Sequence, residues 1–419
     1  MIAVQWDQKK ERLMKKVVAL LGTLDSKGTE YAFLKERIEA QGVLTLVIDA
    51  GVLGAPFFKP DVPAAEVARA GGGDLAQLAE RRDRGEAMTV MSKGAAVVVS
   101  RLAAERRIDG VIAMGGGGGT SIAAAAMQAL PVGFPKLLVS TLASGDVRPF
   151  VGVKDVTIMP AVVDIAGINR LSSQILSNAA GAIAGMVVAE RPTALADKPL
   201  LAATMFGVTT PCVTKAREVL EAAGYEVLVF HATGTGGQTM EELVRAGFVA
   251  GVLDITTTEL ADELAGGVLS AGPNRLEAAG EMGIPQIVSA GALDMVNFGA
   301  PETIPAKYTD RTFYRHNPLV TLMRTTAAEN AELGEIIAAK LNKATGPTVF
   351  MIPKRGVSLI DVEGKPFHDP AADAAFFNAL KSNLAENVKL VELDTDINDE
   401  AFAIAAANLL IGCLSAATN

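Results

Sequence analysis

Cysteine, histidine and aromatic side chains are all scarce in this chain of 419 residues, which has two cysteines, three histidines, one tryptophan and 5% aromatics. Two cysteines as far apart as Cys212 and Cys413 build neither a disulfide framework nor a Cys-x-x-Cys metal site, so a reducing cytoplasm is the expected compartment. The histidines show no His-x-x-x-His or carboxylate–His spacing, which excludes a caged zinc site and leaves Mg²⁺ carried on phosphates as the expected metal. Positive charge is also in deficit. Lys and Arg number 38 against 47 Asp and Glu, and the net charge of -9 repels nucleic acid and anionic membrane at long range. The longest small and apolar stretch, Ala179 to Ala189, is well short of the ~20 residues that cross a bilayer. Met1 to Arg12 lacks the apolar region of a signal peptide, and residues 1–13 read as an extension upstream of Met14.

What the chain has in abundance is small and apolar residues: hydrophobic types make up 50% and glycine 41 positions, against the ~7% usual for glycine. Apolar runs alternate with helical patterns from the start, in the βαβ rhythm of a parallel sheet. Lys16–Leu21 is expected as a strand, Gly22–Gly28 as a loop, Thr29–Gln41 as a helix and Val43–Ile48 as a strand. Helix Met88–Arg107, strand Gly110–Met114, loop Gly115–Gly119, helix Thr120–Leu130 and strand Lys136–Ser140 follow. A comparable order recurs from Leu200: strands Leu200–Met205, Glu226–His231, Gly251–Ile255 and Pro285–Ala290 are interleaved with helices from Pro211, capped by Thr210, and from Thr239. The tail adds strands Thr348–Ile352 and Lys389–Leu393 with two further helices. Gly110-Val-Ile-Ala-Met is similar to Gly251-Val-Leu-Asp-Ile, and Phe134-Pro-Lys-Leu-Leu-Val-Ser to Ile284-Pro-Gln-Ile-Val-Ser. These parallels predict two related α/β halves, residues 14–195 and 199–419, joined by the proline-bounded Glu190–Pro199.

Three loops that follow strands carry the clearest chemistry, because ligands of doubly wound sheets bind at the carboxyl edge. In Met114-Gly-Gly-Gly-Gly-Gly-Thr-Ser121, successive backbone amides and a helix N-terminus suit phosphate oxygens; the alternative is a tight turn, for which one or two glycines suffice. It is not a Walker A loop, since no lysine follows Gly119. In Gly22-Thr-Leu-Asp-Ser-Lys-Gly28, Thr23 and Ser26 are candidate phosphate donors, Lys27 a neutralising cation and Asp25 a carboxylate for Mg²⁺, unless Asp25 or Ser26 is only a helix cap. The third loop offers Thr141, Ser144 and Gly145.

The second half places ionisable groups at the ends of apolar runs. His231, Asp254, Glu259, Arg275, Asp294, His316 and Arg324 are candidates for acid–base or anion-binding work on a small anionic substrate in an inter-domain cleft, by phosphoryl-transfer, lyase or hydrolase chemistry. The loop around Gly234–Gly237 is a second candidate anion nest. Thr326-Ala-Ala-Glu329 has the spacing of a capping box, and Cys212 is either an activated thiolate or a small core residue.

Val18-Ala-Leu-Leu-Gly-Thr-Leu-Asp-Ser-Lys-Gly28, with Met114–Ser121, Phe230–Gln238 and Gly291–Phe298, resembles an uncharacterised bacterial family related to the N-terminal domain of the tomato mosaic virus resistance protein Tm-one. The resemblance runs from Met14 to the C-terminus. It implies two Rossmann-like, doubly wound α/β domains with mostly parallel sheets, ATP with Mg²⁺ in the first, and a homodimer. Onto the matching loops it carries nucleotide contacts at Thr23, Asp25, Ser26, Lys27, Gly115, Gly116, Gly117, Gly118, Gly119, Thr120 and Ser121. A nucleotide-dependent interaction module without turnover is the remaining expectation.

Overall fold

The computed structural model describes residues 16–190 and 198–417, and the chain divides into two compact units, Met1–Thr193 and Ala194–Asn419. The N-terminal extension and most of the expected linker, at residues 191–197, lie outside the described residues.

In the first unit, strands β1 (Val17–Gly22), β2 (Leu44–Asp49), β3 (Gly110–Gly115), β4 (Lys136–Ser140) and β5 (Thr157–Pro160) form one sheet in the order β2-β1-β3-β4-β5. All four pairings are parallel. The central strands are apolar almost throughout because both faces are covered. Val18, Leu20, Ile112, Met114 and Leu137 pack under helices α1 (Leu24–Glu39) and α7 (Arg170–Val188). Ala19, Leu21, Val111, Ala113 and Leu138 pack under α2 (Ala64–Ala70), α3 (Leu75–Arg81), α4 (Arg84–Ala104) and α5 (Gly117–Gln128). A single turn, α6 (Arg148–Val151), follows β4. Helices α4 and α7 are long and apolar enough to span a bilayer by composition, and their apolar faces, Met91, Ala95, Val98 and Leu102 in α4 and Leu176, Ala179, Ala180 and Ile183 in α7, are buried in the unit's core.

The second unit opens with β6 (Leu200–Met205), helix α8 (Thr210–Ala222), β7 (Glu226–His231), α9 (Thr235–Arg245), β8 (Gly251–Thr256), α10 (Thr258–Ala265), α11 (Ala278–Glu281) and β9 (Gln286–Gly291). A small antiparallel sheet follows, built from β10 (Met295–Phe298), β11 (Phe313–Asn317) and β12 (Val320–Arg324). Then come α12 (Ala327–Leu341), β13 (Thr348–Pro353), α13 (Pro370–Asn383), β14 (Val388–Leu393) and α14 (Glu400–Ala417). The main sheet is parallel, in the order β14-β13-β9-β8-β6-β7. From its other edge, β7-β6-β8-β9-β13 repeats the strand order of the first unit. The similar sequence segments fall on β3 and β8, and on β4 and β9, which hold matching places in the two sheets.

Several boundaries move. The helix expected from Thr29 starts at Leu24, the one expected from Thr120 at Gly117, and the one expected from Thr239 at Thr235. A first helical turn needs no intrahelical N–H partner, so glycine is tolerated there although it breaks a helix interior. The N-cap of α8 is Thr209 rather than Thr210. The Thr326 capping box forms as spaced: Glu329 N–H donates to Thr326 Oγ1 at 3.2 Å, and Thr326 N–H to Glu329 Oε2 at 2.8 Å.

Candidate functional site

The strand order fixes where a ligand can enter the first unit. The chain leaves β1 towards β2 and leaves β3 towards β4, so the two connections part at the carboxyl ends of β1 and β3 and open a crevice. Tyr31 of α1 holds that opening. Its hydroxyl lies 2.5 Å from the Leu21 carbonyl and 2.9 Å from the Met114 carbonyl, and it accepts the Met114 N–H at 2.8 Å. A phenol thus takes the place of the last rungs between the two strands. Gly22 makes room for it, because a Cβ there would stand 2.0 Å from the Tyr31 ring.

A cavity of about 740 Å³ occupies this switch point, within the range of roughly 300–1,000 Å³ usual for small-molecule sites. Thr23, Asp25, Ser26 and Lys27 of the first loop and all of Gly115–Gly119 line it. Residues that sequence reasoning passed over complete it. Arg82 and Arg84 sit at the α3–α4 junction, and Val52, Leu78, Met88, Met91 and Ile122 supply an apolar wall. Arg82 has a left-handed backbone, φ 50°, and neither arginine forms an ion pair with a described residue. The Arg84 guanidinium reaches to 3.8 Å from where a Cβ on Gly118 would stand.

The glycine run divides by cause. At Gly115 a Cβ would meet the backbone of Gly119 at 2.7 Å, and at Gly119 it would meet the Met114 carbonyl at 3.2 Å, so the tight strand-to-helix turn accounts for both. At Gly117 a Cβ would meet nothing within 4 Å. At Gly116 and Gly118 the nearest atoms are side chains at 3.6 and 3.4 Å, and none of the three has a positive φ. Folding leaves Gly116–Gly118 unexplained, and all three line the cavity at the N-terminal turn of α5.

The first loop is more constrained than its sequence suggests. Thr23 is the N-cap of α1 and makes no side-chain cap bond, so neither Asp25 nor Ser26 is the cap. Asp25 Oδ2 accepts the Leu53 N–H at 2.7 Å, and Ser26 bonds to Thr23 Oγ1 at 2.9 Å. Lys27 departs from helical geometry, with φ -127° and ψ 22°, and its ammonium donates to the Ile165 carbonyl. Burial raises the Asp49 carboxyl above its usual range; N–H groups of Gly51 and Leu24 oppose this, and the nearby Asp25 charge adds to it.

Other candidates do not line the cavity. Thr120 is buried, its hydroxyl between the Gly115 carbonyl at 3.2 Å and Ser140 Oγ at 2.7 Å. Ser121 donates to the Gly117 carbonyl at 3.0 Å and borders a smaller adjoining groove with Arg84 and Met88. Thr141, Ser144 and Gly145 belong to the turn after β4 and are not among the lining residues.

In the second unit, the candidate residues form two separate networks rather than one constellation. At the β6–β8 switch point, Arg275 is fully buried. Its Nε donates to Glu259 at 2.6 Å, and its two terminal nitrogens donate to Asp254 at 2.5 and 2.7 Å. Glu259 Oε1 in turn accepts N–H bonds from Gly234 at 2.7 Å and Gly237 at 3.0 Å. The second glycine loop is therefore a nest for an internal carboxylate, which corrects its reading as a site for an external anion. Its glycines are required by the fold: Gly234 has φ 82°, a Cβ on Gly236 would lie 1.7 Å from the His231 carbonyl, and one on Gly237 would lie 2.2 Å from Glu259.

Arg324 anchors the other network, donating to Asp373 at 2.7 Å, Asp361 at 3.2 Å and the Phe367 carbonyl at 2.8 Å. Asp294 accepts from Ser358 at 2.8 Å, while its Oδ1 is buried with no hydrogen-bond partner among the described residues. Burial pushes Asp294 up to about 6, and burial together with the neighbouring Asp294 and Asp373 charges pushes Asp361 up to about 9, each opposed by the Arg324 charge. His231 and His316 sit exposed on β7 and β11, in neither network. Burial lifts the Cys212 thiol to about 12, which removes it as a nucleophile. No group of three or more potential metal ligands occurs among the described residues.

Two doubly wound units of one strand order, the first with an open glycine-lined cavity at its switch point and the second with that position filled by an internal ion cluster, define a two-domain Rossmann-like α/β protein. Its sequence places it further. Residues 16–192 match the N-terminal domain, and residues 198–414 the C-terminal domain, of the uncharacterised protein family UPF0261, and the chain belongs to that family. A UPF0261 protein of Clostridium tetani is 56% identical over 402 residues, which is 96% of this chain and 100% of that protein. The ToMV susceptible protein tm-1(GCR26) of Solanum lycopersicum is 40% identical over 410 residues, and the ToMV resistance protein Tm-1(GCR237) 45% over 327. The matches cover 92% and 76% of this chain but only 54% and 43% of the tomato proteins.

Proposed function

We propose that the first unit binds ATP, with its phosphates on the Gly116–Gly118 amides at the N-terminus of α5 and its base against the apolar wall. The observation that carries this reading is the absence of any folding reason for glycine at these three cavity-lining positions. Each glycine near a helix start costs conformational entropy, and a bare backbone there lets phosphate oxygens come within hydrogen-bond distance of N–H groups. Arg84 beside Gly118, and Arg82, supply unpaired positive charge, in the arrangement that suits a polyphosphate. Met88, Met91, Leu78 and Ile122 offer the base an apolar surface. The donors present fit Mg²⁺ carried on the nucleotide: Asp25 and Asp83 are the carboxylates among the lining residues, Asp83 already capping α4 through the Glu86 N–H, and Mg²⁺ takes one or two carboxylates with phosphate oxygens and water. Lys27 would give up the Ile165 carbonyl to contribute its charge.

Calorimetric titration with ATP and Mg²⁺ tests the proposal. Saturable binding is expected, weakened about tenfold or more by Arg84→Gln. Absence of heat with the wild-type chain would overturn it. The same proposal takes the protein as a cytoplasmic homodimer, for which sedimentation velocity should return twice the chain mass. The buried and mutually hydrogen-bonded Arg275–Asp254–Glu259 cluster of the second unit favours a structural role for those three residues over catalysis on a small anion.

A further inference from the structure

Residues 161–168 join β5 to α7 at the carboxyl edge of the first sheet, and within them only Ala161 and Ile165 are buried. A few hydrogen bonds hold the segment down. Ala161 N–H donates to the Ser140 carbonyl at 3.0 Å, Gly167 N–H to Glu30 Oε1 at 2.6 Å, and the Ser172 hydroxyl to the Gly167 carbonyl at 3.3 Å. Between these anchors the Ile165 carbonyl accepts the Lys27 ammonium. Of the anchoring residues, Lys27 alone lines the cavity. The segment is also strained. Val163 N–H donates back to the Ala161 carbonyl at 2.7 Å, closing a three-residue turn with Val162 at its centre and φ 64° there. A β-branched residue rarely adopts a positive φ, and one that does persists only where its surroundings hold it. Val162 gains no packing in return: it is 73% exposed, and Val163 and Ile168 are exposed with it.

We propose that this segment is a strap released by ligand in the cavity: phosphate oxygens at the Gly116–Gly118 amides take the Lys27 ammonium from the Ile165 carbonyl, and residues 161–168 lift from the unit. A hydrogen bond between two ionised groups is stronger than one from an ammonium to a neutral carbonyl, so a polyphosphate wins that competition. The Ile165 carbonyl then regains a donor by turning to water, because a buried carbonyl without a partner is costly. The turn at Val162 relaxes in the same movement, so the lost tether and the stored strain act in one direction. The strap carries Val162, Val163 and Ile168 outward, and its release changes an apolar patch of surface in response to ligand. For the identity of the anion the proposal rests on the nucleotide reading above; for the tether it does not.

The test is hydrogen exchange on the full chain, free, with ATP and Mg²⁺, and with inorganic tripolyphosphate and Mg²⁺, alongside calorimetric titration of each ligand. Saturating ligand should speed exchange at the bonded amides of Ala161, Val163 and Gly167 about tenfold or more, as expected for loss of a charge-assisted hydrogen bond. Lys27→Met should show the fast exchange without any ligand, while residues 110–114 of the central strand stay as slow as in the wild type. The wild-type comparison decides even where Lys27→Met does not fold. A bound ligand that leaves these amides unchanged, or that slows them as an ammonium shared between both partners would, overturns the strap. Slow exchange there in a folded Lys27→Met chain overturns it too. Release by tripolyphosphate with no binding of ATP leaves the strap standing and overturns the nucleotide reading alone; binding of neither ligand overturns both.

Discussion

A methyl group at Gly117 would meet open space, whereas one at Gly236 would strike the His231 carbonyl at 1.7 Å. These two residues look alike in sequence, each in a glycine-rich run after a strand, and only the backbone around them separates a binding position from a folding one. Two outcomes follow. Gly117→Ala should raise the stability of the ligand-free protein by roughly 0.4–1 kcal/mol, because alanine narrows the unfolded ensemble where the native backbone accepts it, and should weaken ATP binding. Gly237→Ala should destabilise, because its Cβ would displace Glu259 from the amides it caps. A thermal melt and a titration on each variant separate the cases. Arg275→Met should cost about 3–5 kcal/mol, since it leaves Asp254 and Glu259 buried without their counter-charge. Retention of wild-type stability would contradict the structural assignment of that network.

Among the elements, the loops after β9 and β13 and the first turn of α13 bring three carboxylates, Asp294, Asp361 and Asp373, to a single guanidinium. Burial comes first among the causes that raise all three above their ordinary values. A carboxyl whose folded value is raised holds its proton in the folded chain and loses it in the unfolded one, so the folded state binds more protons in between. Its stabilising contribution is complete below the unfolded value of about 3.9 and is lost as pH rises through the folded value. The second unit should thus lose stability steadily from about pH 4 through the folded values near 6 for Asp294 and 9 for Asp361. Asp361→Asn should flatten the limb above pH 7 in melts across the range; an unchanged slope would show that Asp361 is already ionised in the fold. Elements of this kind were the least legible in the sequence. The central strands could be read because burial on both faces makes them uniformly apolar, as in Val111–Met114 and Leu201–Ala203. The antiparallel sheet escaped notice because β11, Phe313–Asn317, is short, polar and exposed towards its end. Helices α2 and α3, the second of which leads into Arg82, span seven residues each and offer too little periodicity to register.

For the molecule as a whole, one strand order used twice has led to opposite uses of the same place. In the first unit the switch point is held open by Tyr31 and floored by bare backbone; in the second it is closed by Arg275 and its carboxylates. The repeat was visible in the strands and in the positions of the glycine loops. The difference was not, because it depends on Glu259 reaching back 25 residues to Gly234 and on Arg82 and Arg84 arriving from a junction far from the loops they face. Hydrogen exchange with ATP and Mg²⁺ should show protection at residues 23–27 and 115–119 and none at 234–237. Equal protection at both glycine loops would contradict the assignment.

The most direct measurement is a paired calorimetric titration and thermal melt of the wild-type chain and Gly117→Val with ATP and Mg²⁺. Saturable binding by the wild type, lost in the variant at an unchanged or higher melting temperature, is the predicted result. No binding by the wild type, or equal binding by a Gly117→Val chain that melts normally, would contradict it.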